Sequence, residues 1–141
     1  MIGLDTNVLV ARVIPDHANH QWVSQRLTEL TADGRNFAVS SVILSEFLHV
    51  VTDSNRFEKP LTIEEALKWA GFWSRSREVK LLKMDAVAHL QWLKWLEANK
   101  LGRKRLIDTL IAATWHTAGV TEIWSLNPAD FRVFGVFEIL E

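Results

Sequence analysis

The chain of 141 residues contains no cysteine, and it has few glycines (6) and prolines (3). Without cysteine, a disulfide scaffold, a thiolate zinc site and a cysteine nucleophile are all excluded. Scarce glycine and proline predict short loops, and the sequence shows no internal repeat or low-complexity tract. No stretch reaches the ~18 apolar residues of a membrane span, and the N-terminus lacks a basic region followed by an apolar core. We therefore expect a single domain over residues 1–141 in a cytoplasmic protein.

The chain also lacks an excess of charge of either sign, since its formal net charge is −1. A protein with this balance does not coat nucleic acid by bulk electrostatics, so any contact with nucleic acid must be local. The local candidate is a short basic segment that contains Lys100, Arg103, Lys104 and Arg105. Two interpretations of this segment stay open: it contacts phosphates, or it is a solvated loop between two helices.

Short apolar runs alternate with helical patterns along the chain. We predict strands at 1–4, 37–40, 79–82, 122–126 and 136–140, and helices at 18–31, 41–53, 63–76, 86–99 and 105–118. The last of these helices is apolar nearly all round, which predicts that it is buried. Alternating strands and helices favour parallel pairing. The predicted fold is therefore a three-layer α/β/α sandwich with a mostly parallel sheet of about five strands.

Three acidic side chains lie in apolar surroundings: Asp5 in MIGLDTNVLVA (1–11), Glu46 in SVILSEFLHVV (41–51) and Asp108 in LIDTLIAATW (106–115). Carboxylates are almost never fully buried unless they are paired or bound to metal. In parallel sheets ligands bind beyond the carboxyl ends of the strands, and Asp5 directly follows the first predicted strand. Oxygen ligands alone favour Mg²⁺ or Mn²⁺ over softer metals, and such a site is typical of metal-assisted phosphodiester hydrolysis.

Each of these acids also has a purely structural interpretation. Asp5 is a preferred N-cap for the helix that would follow it. Glu46, with His49 and Asp53, forms a polar stripe that faces either solvent or the crevice. Asp108 lies in the first turn of a helix, where the helix dipole favours an anion without any metal. The metal site therefore depends on whether the three side chains converge.

Other common catalytic arrangements have little support in the sequence. His17 and His20 are three residues apart but have no third partner at the spacing of a zinc site. There is no glycine-rich phosphate loop and no GxSxG elbow. A phosphatase of the haloacid-dehalogenase type also places an Asp after its first strand. That chemistry requires a second Asp two residues later, where this chain has Asn7.

Four short segments, taken in order, resemble the PIN-domain nucleases, and most closely the VapC-type toxin ribonucleases. They are Leu4-Asp5-Thr6-Asn7, the Ser-then-Glu segment SVILSEF (41–47), the Asp-x-x-Ile-Ala-Ala stretch at 108–113, and WSLNPADF (124–131). Each segment alone is weak, whereas the four at these separations are fairly specific. The resemblance spans nearly the whole chain.

The resemblance implies a Mg²⁺- or Mn²⁺-dependent endoribonuclease, the toxin of a toxin–antitoxin pair. The metal ligands and catalytic acids that it implies are Asp5, Glu46 and Asp108. It further implies an RNA substrate, a homodimer, and a small VapB-like antitoxin that inhibits the site. Supporting polar positions fall on Thr6, Asn7, Ser125, Asn127 and Asp130.

One position departs from the pattern of this family. Many members carry a fourth acid where this chain has Asn127, which can offer a carbonyl oxygen but brings no charge. Asp130 is close in sequence and is a candidate to compensate. A second metal site is therefore less well supported than the first. The main alternative function is a degenerate, non-catalytic PIN-fold binding module, in which Asn127 marks lost chemistry and exposed tryptophans serve a protein interface.

Overall fold

The structure, a computed structural model, describes all residues 1–141. Five strands form one sheet in the order β3-β2-β1-β4-β5, and every neighbouring pair is parallel. The strands are β1 (Ile2–Leu4), β2 (Phe37–Ser40), β3 (Val79–Leu82), β4 (Glu122–Trp124) and β5 (Glu138–Ile139). All five lie where the sequence predicts a strand, and the predicted parallel sheet is confirmed.

Seven α-helices connect and cover these strands. They are α1 (Thr6–Val13), α2 (His20–Ala32), α3 (Ser41–Val51), α4 (Ile63–Arg75), α5 (Ala86–Ala98), α6 (Leu106–Thr117) and α7 (Ala129–Arg132), with a 3₁₀ turn at Arg103–Arg105. The chain moves outward from β1 to β3 and then returns to the other side of β1. Because such crossovers are right-handed, α1 to α4 cover one face and α5 to α7 the other, which is the predicted three-layer sandwich. No helix is both long and apolar enough to cross a membrane.

The helix starts follow from the capping residues that the sequence offers. Thr62 accepts a hydrogen bond from the backbone N–H of Glu65 (3.2 Å), and Asp85 accepts one from Ala88 (2.9 Å). Two short elements, the 3₁₀ turn and α7, have no counterpart in the predicted strands and helices. Both flank the carboxyl edge of the sheet, where the chain turns tightly and local periodicity is too short to detect.

The prediction that the helix at 105–118 is buried is wrong for its first turn and for its last residues, since His116, Thr117 and Ala118 are exposed. Residues from Ile111 to Trp115 are buried, whereas Leu106 and Ile107 are 38% and 44% exposed. The first turn lies at the carboxyl edge of the sheet, beyond the layer that the strands cover. Leu106 there accepts a hydrogen bond from the Trp92 indole through its backbone carbonyl (2.9 Å).

The core beneath the β1–β4 pair depends on close contact between a glycine and a tryptophan. Trp115 is completely buried, and a Cβ atom at Gly3 would lie 2.7–2.9 Å from its indole ring. Real Cβ atoms essentially never come this close to another heavy atom. Gly3 therefore allows α6 to pack directly against the central strand, because the interior leaves no space into which the indole could move.

We expect Gly3→Ala to lower the free energy of unfolding by about 1–3 kcal/mol, because the added methyl group overpacks the core. Urea unfolding followed by tryptophan fluorescence measures this change. Gly102→Ala is the matched control, since its Cβ would meet nothing within 4 Å, and it should change the free energy of unfolding by less than about 0.5 kcal/mol. Equal stabilities of the two variants would contradict the packing argument.

Candidate active site

The candidate site lies where the strand order reverses. β1 and β4 are neighbours in the sheet, with Leu4 paired to Trp124, but the chain leaves them in opposite directions. Asp5 follows β1, and Ser125 follows β4. In open parallel sheets a crevice forms at this point, and ligands bind there.

Asp5 is both a helix cap and a member of this crevice. Its Oδ1 accepts a hydrogen bond from the backbone N–H of Thr6 at the start of α1 (2.8 Å). Its Oδ2 accepts one from the hydroxyl of Ser125 (2.6 Å). Asp5 therefore fits both interpretations: one carboxylate oxygen caps α1, and the other accepts the hydrogen bond from Ser125 in the crevice.

A polar network fixes the direction in which Ser125 donates. The Ser125 hydroxyl oxygen accepts hydrogen bonds from the Asn7 side-chain amide (3.2 Å) and from the backbone N–H of Asn127 (3.0 Å). Asn7 in turn accepts a hydrogen bond from the backbone N–H of Leu126 (3.0 Å). With its lone pairs occupied by two donors, Ser125 directs its own proton to Asp5. The supporting positions Asn7 and Ser125 thus meet Asp5 in space.

Glu46 faces the crevice and not open solvent. The Thr6 hydroxyl donates a hydrogen bond to its Oε1 (2.9 Å), which joins α1 to α3 across forty positions of sequence. Glu46 is half-buried, whereas His49 on the same stripe is exposed. The residues of the predicted polar stripe therefore do not all face the same way, since Glu46 faces the crevice and His49 is exposed.

Asp108 and Asp130 share one arginine. Arg105 Nε lies 3.7 Å from Asp108 Oδ2, and Arg105 Nη1 lies 3.8 Å from Asp130 Oδ1. The Arg105 guanidinium also donates to the backbone carbonyl of Asp130. The Asn127 amide donates to Asp130 Oδ2 (2.6 Å), so Asn127 helps to hold this acid in place.

The four acids, Asp5, Glu46, Asp108 and Asp130, line a single cavity of about 330 Å³. Thr6, Asn7 and Asn127 line it as well. The structure therefore brings together the acids that the sequence singles out, although they are separated by dozens of residues.

Burial and mutual repulsion disfavour the charged forms of these acids. The pKa of Asp5 is raised to about 6, chiefly by burial and to a smaller extent by the nearby Asp108 and Glu46, although its hydrogen bonds from Ser125 and Thr6 lower it. The pKa values of Glu46 and Asp108 are also raised, chiefly by burial. A cation in the cavity would relieve this cost.

The donor set suits a hard cation, but the acids do not form a closed cage. No group of three or more His, Asp or Glu side chains is arranged to hold one metal ion in this structure. Mg²⁺ usually takes only one or two carboxylates and completes its shell with water and substrate phosphate. Oxygen ligands with raised pKa values therefore fit an ion held by part of the set, with space left for water.

The basic segment does not line the cavity as a unit. Lys100, Arg103 and Lys104 are exposed and lie outside it, so their role as phosphate contacts stays a prediction. Arg105 is half-buried and is occupied by Asp108 and Asp130. Arg105 and Asp108 are three residues apart, a spacing that makes side chains neighbours on a helix, so the sequence indicates that these two residues pair.

Besides the apolar Val10 and Val50, three residues that line the cavity have no role assigned from the sequence: His17, Arg56 and Phe57. His17 follows α1, and the other two lie in the loop between α3 and α4. Arg56 and Phe57 match no motif and no helical period, and the sequence singles out His17 only as half of an incomplete zinc pair with His20.

Comparison with known proteins decides the family. The family whose sequence pattern matches this chain is the PIN domain, over residues 2–134. The chain belongs to the PIN domain family. This agrees with the resemblance carried by the four segments, and the acids of this PIN domain lie on those segments.

Individual relatives are similar over the full length of this PIN domain. Ribonuclease VapC24 of Mycobacterium tuberculosis (strain CDC 1551 / Oshkosh) is 29% identical over 136 residues, which cover 96% of this chain and 92% of the relative. The crystal structure of Mycobacterium tuberculosis VapC20, a Sarcin-Ricin loop cleaving toxin, superposes with a TM-score of 0.75 at 19% identity and covers all of both chains. VapBC2 from Rickettsia felis, bound to a DNA fragment from its promoter, gives 0.69 at 21% identity with the same coverage. These structures share the fold.

The raised pKa of Asp5 makes stability depend on pH in a defined direction. The folded protein binds this proton more tightly than the unfolded chain. The resulting contribution is therefore fully present below the ordinary pKa of 3.8 and is lost as the pH rises through about 6. Between about pH 4 and pH 7, metal-free protein should lose about 2 kcal/mol more unfolding free energy than the Asp5→Asn variant loses.

Urea unfolding in EDTA at several pH values measures both proteins. Profiles that run parallel across this range would show that Asp5 is not the group responsible.

Proposed function

We propose that this PIN domain protein is a metal-dependent endoribonuclease that hydrolyses RNA phosphodiester bonds, and that it is the toxin of a toxin–antitoxin pair. The observation that carries the proposal is the convergence of Asp5, Glu46 and Asp108 on one cavity at the carboxyl edge of the sheet. The names of the relatives, a ribonuclease and a Sarcin-Ricin loop cleaving toxin, support it.

In this proposal Mg²⁺ or Mn²⁺ binds within the set of Asp5, Glu46 and Asp108, with one or two of these carboxylates as direct ligands and water in the remaining positions. The bound ion would supply a water of lowered pKa and would stabilise the charge that develops on the phosphate. The protein side chains orient the ligands: Ser125 fixes Asp5, and Thr6 fixes Glu46, each through a donated hydrogen bond. These partners matter because a carboxylate must be held in direction as well as in place.

Arg105 has a separate role in this arrangement. Its guanidinium lies between Asp108 and Asp130, so it offsets the repulsion of two acids in the first turns of α6 and α7. No basic side chain forms an ion pair with Asp5 or Glu46. The part of the cavity near Asp5 and Glu46 therefore gains most from an external cation, which supports placing the metal there.

Removing one charge from the site should abolish cleavage. We expect Asp5→Asn and Asp108→Asn each to lower the rate of RNA cleavage at least ~100-fold, because several kcal/mol of transition-state stabilisation depend on the ion. The assay uses cellular RNA with Mg²⁺ or Mn²⁺, and EDTA should stop it.

Glu97→Gln is the control, since Glu97 is an exposed carboxylate on α5 outside the cavity, and it should cleave at the wild-type rate. Undiminished cleavage by both site variants would refute the assignment. Ser125→Ala should cost about 10–100-fold, as is typical for a residue that orients a ligand.

The rival functions make different demands on the same residues. A haloacid-dehalogenase-type phosphatase needs an acid/base in the place of Asn7, whose amide is instead engaged with Ser125 and Leu126. A non-catalytic binding module would not need an intact acidic cavity. Calorimetric titration with Mn²⁺ separates the two remaining ideas, since absence of binding by the wild-type protein would favour the module.

We also propose a small VapB-like antitoxin as a partner. Structures of VapBC2 from Rickettsia felis and VapBC-1 from nontypeable Haemophilus influenzae share this fold. A large groove of about 760 Å³, mostly apolar, lies between α2 and α4 and includes Leu27, Trp69 and Phe72. Phe72 is 58% exposed, so the groove offers apolar surface that a partner would cover.

We expect Phe72→Glu to abolish antitoxin binding and to leave RNA cleavage intact, because the groove is separate from the acidic cavity. The measurement is copurification with the product of the neighbouring small gene, together with relief of growth arrest on coexpression. Leu67→Glu is the control on the same helix, since Leu67 is exposed but does not line the groove. Equal copurification of both variants with the antitoxin would place the partner elsewhere.

The homodimer stays a prediction. The side chains of Val87, Leu90 and Leu93 on α5 are large, apolar and exposed, which is consistent with a further contact surface on the face opposite the groove.

A further inference from the structure

The acidic cavity has a second wall of different chemistry. His17 enters from the segment after α1, and Arg56 and Phe57 enter from the loop between α3 and α4. Val10 and Val50 add apolar surface to the lining. His17, Arg56 and Phe57, here called the second wall, combine positive or donor groups with apolar surface, whereas the four acids are anionic.

A polyanionic substrate needs such a wall. Four carboxylates repel RNA phosphates, and the net charge of −1 provides no general attraction. The guanidinium of Arg105 is already occupied by two acids. His17 and Arg56 are the only basic side chains that line the cavity itself.

Arg56 is held in place and still has free donors. Its Nε lies 3.5 Å from Asp53 Oδ2, and its side chain is 59% exposed. Asp53 also accepts the backbone N–H of Asn55 through Oδ1 (2.8 Å), and its carbonyl accepts the N–H groups of Arg56 (3.1 Å) and Phe57 (3.2 Å). A guanidinium carries five N–H donors in a fork, so those of its two terminal nitrogens remain available for a phosphate.

His17 is fixed as a donor by its own loop. Its Nδ1 accepts a hydrogen bond from the backbone N–H of Asn19 (3.0 Å), and its backbone N–H donates to Ile14 (3.0 Å). In the neutral ring the proton is therefore on Nε2, since Nδ1 acts as the acceptor. Nε2–H is the group left to donate to a substrate oxygen.

Phe57 adds apolar surface next to these donors. It is half-buried and packs against the hydrophobic core, so its position does not depend on substrate. A cavity of about 330 Å³ is at the small end of ligand pockets and suits a single nucleotide unit. Bases become available to an aromatic side chain in this way only when they are unpaired.

We propose that Arg56 and His17 bind RNA phosphate beside the scissile bond and that Phe57 contacts a base of the substrate, so that these three side chains form its binding surface. This inference rests on the proposed nuclease function and deepens it. The side chains that recognise substrate come from the loops after α1 and α3, while the side chains for chemistry come from the strand ends and from α3 and α6.

The test measures binding and cleavage separately. Binding of a fluorescein-labelled single-stranded RNA is followed by anisotropy in EDTA over a range of salt concentrations, and cleavage of the same RNA is followed with Mn²⁺. Arg56→Ala should raise KM about tenfold with a smaller change in kcat, and it should reduce the salt slope of binding by about 0.7, the value for one phosphate contact on a single strand. Arg56→Lys should recover part of the affinity, because it keeps charge and loses the fork.

Matched controls separate the wall from general charge effects. Arg77→Ala removes an exposed arginine outside the cavity, and His49→Gln is the control for His17→Gln. Both controls should behave as wild type, while His17→Gln should raise KM. Phe57→Leu keeps the apolar packing and removes the aromatic face, so it should weaken RNA binding without lowering the unfolding temperature. The same RNA annealed to its complement should bind more weakly than the single strand.

The outcomes distinguish this inference from the nuclease proposal. Unchanged KM and salt slope in Arg56→Ala and His17→Gln, with wild-type cleavage intact, would overturn the inference alone. Loss of binding in Lys104→Ala but not in Arg56→Ala would overturn it in favour of the basic segment. Wild-type protein that binds RNA through Arg56 but cleaves none with Mn²⁺ would support the contact and overturn the nuclease. Protein that binds no RNA would overturn both.

Discussion

The structure depends on keeping the Asp5 carboxylate at the junction of β1 and β4, away from most solvent. Both of its oxygens accept hydrogen bonds, one from the start of α1 and one from Ser125 after β4. These bonds do not fully replace water, since burial still raises the pKa of Asp5 to about 6. The register that pairs Leu4 with Trp124 puts the two strand ends side by side, and the contact between Gly3 and Trp115 lets α6 pack beneath them. Core packing therefore holds the Asp5 carboxylate at a place where burial disfavours its charged form.

Electrostatic compensation in the cavity is uneven. Arg105 offsets charge at Asp108 and Asp130, whereas Asp5 and Glu46 receive only hydrogen bonds from hydroxyl and backbone donors. A neutral donor stabilises a carboxylate less than a cation does, so the two ends of the cavity differ in their need for an external positive charge. This asymmetry also explains why Asn127 is tolerated. Its amide donates to Asp130, so a neutral side chain at this position holds a carboxylate that Arg105 also offsets.

The sequence alone predicts where the strands and long helices lie, because each strand is a local apolar run and each long helix has its own period or cap. It was also sufficient to place Asp5 at a strand end, since that position follows from one segment. The inward direction of Glu46 was not predictable, because it depends on the Thr6 hydroxyl forty residues away. The pairing of Arg105 with Asp130 across 25 residues was likewise beyond any local pattern. The wall of His17, Arg56 and Phe57 comes from two loops whose sequences carry no period, so only the folded chain reveals it.

An acidic cavity that takes RNA must bring together groups that repel one another. Four carboxylates and an RNA phosphate can occupy the same small volume only if positive charge lies between them or beside them. In the proposed function, a hard cation held by the acids would supply this positive charge, and substrate phosphate would complete its shell. In the proposed arrangement Arg56, which lines the cavity but forms its ion pair with Asp53, would bind the RNA backbone without neutralising the four acids. The proposal assigns substrate binding and chemistry to different side chains. His17, Arg56 and Phe57 lie on loops, whereas the acids follow strand ends or lie on α3 and α6. Placing Arg56 among the acids would form a closed ion pair and remove the reason for a metal to bind.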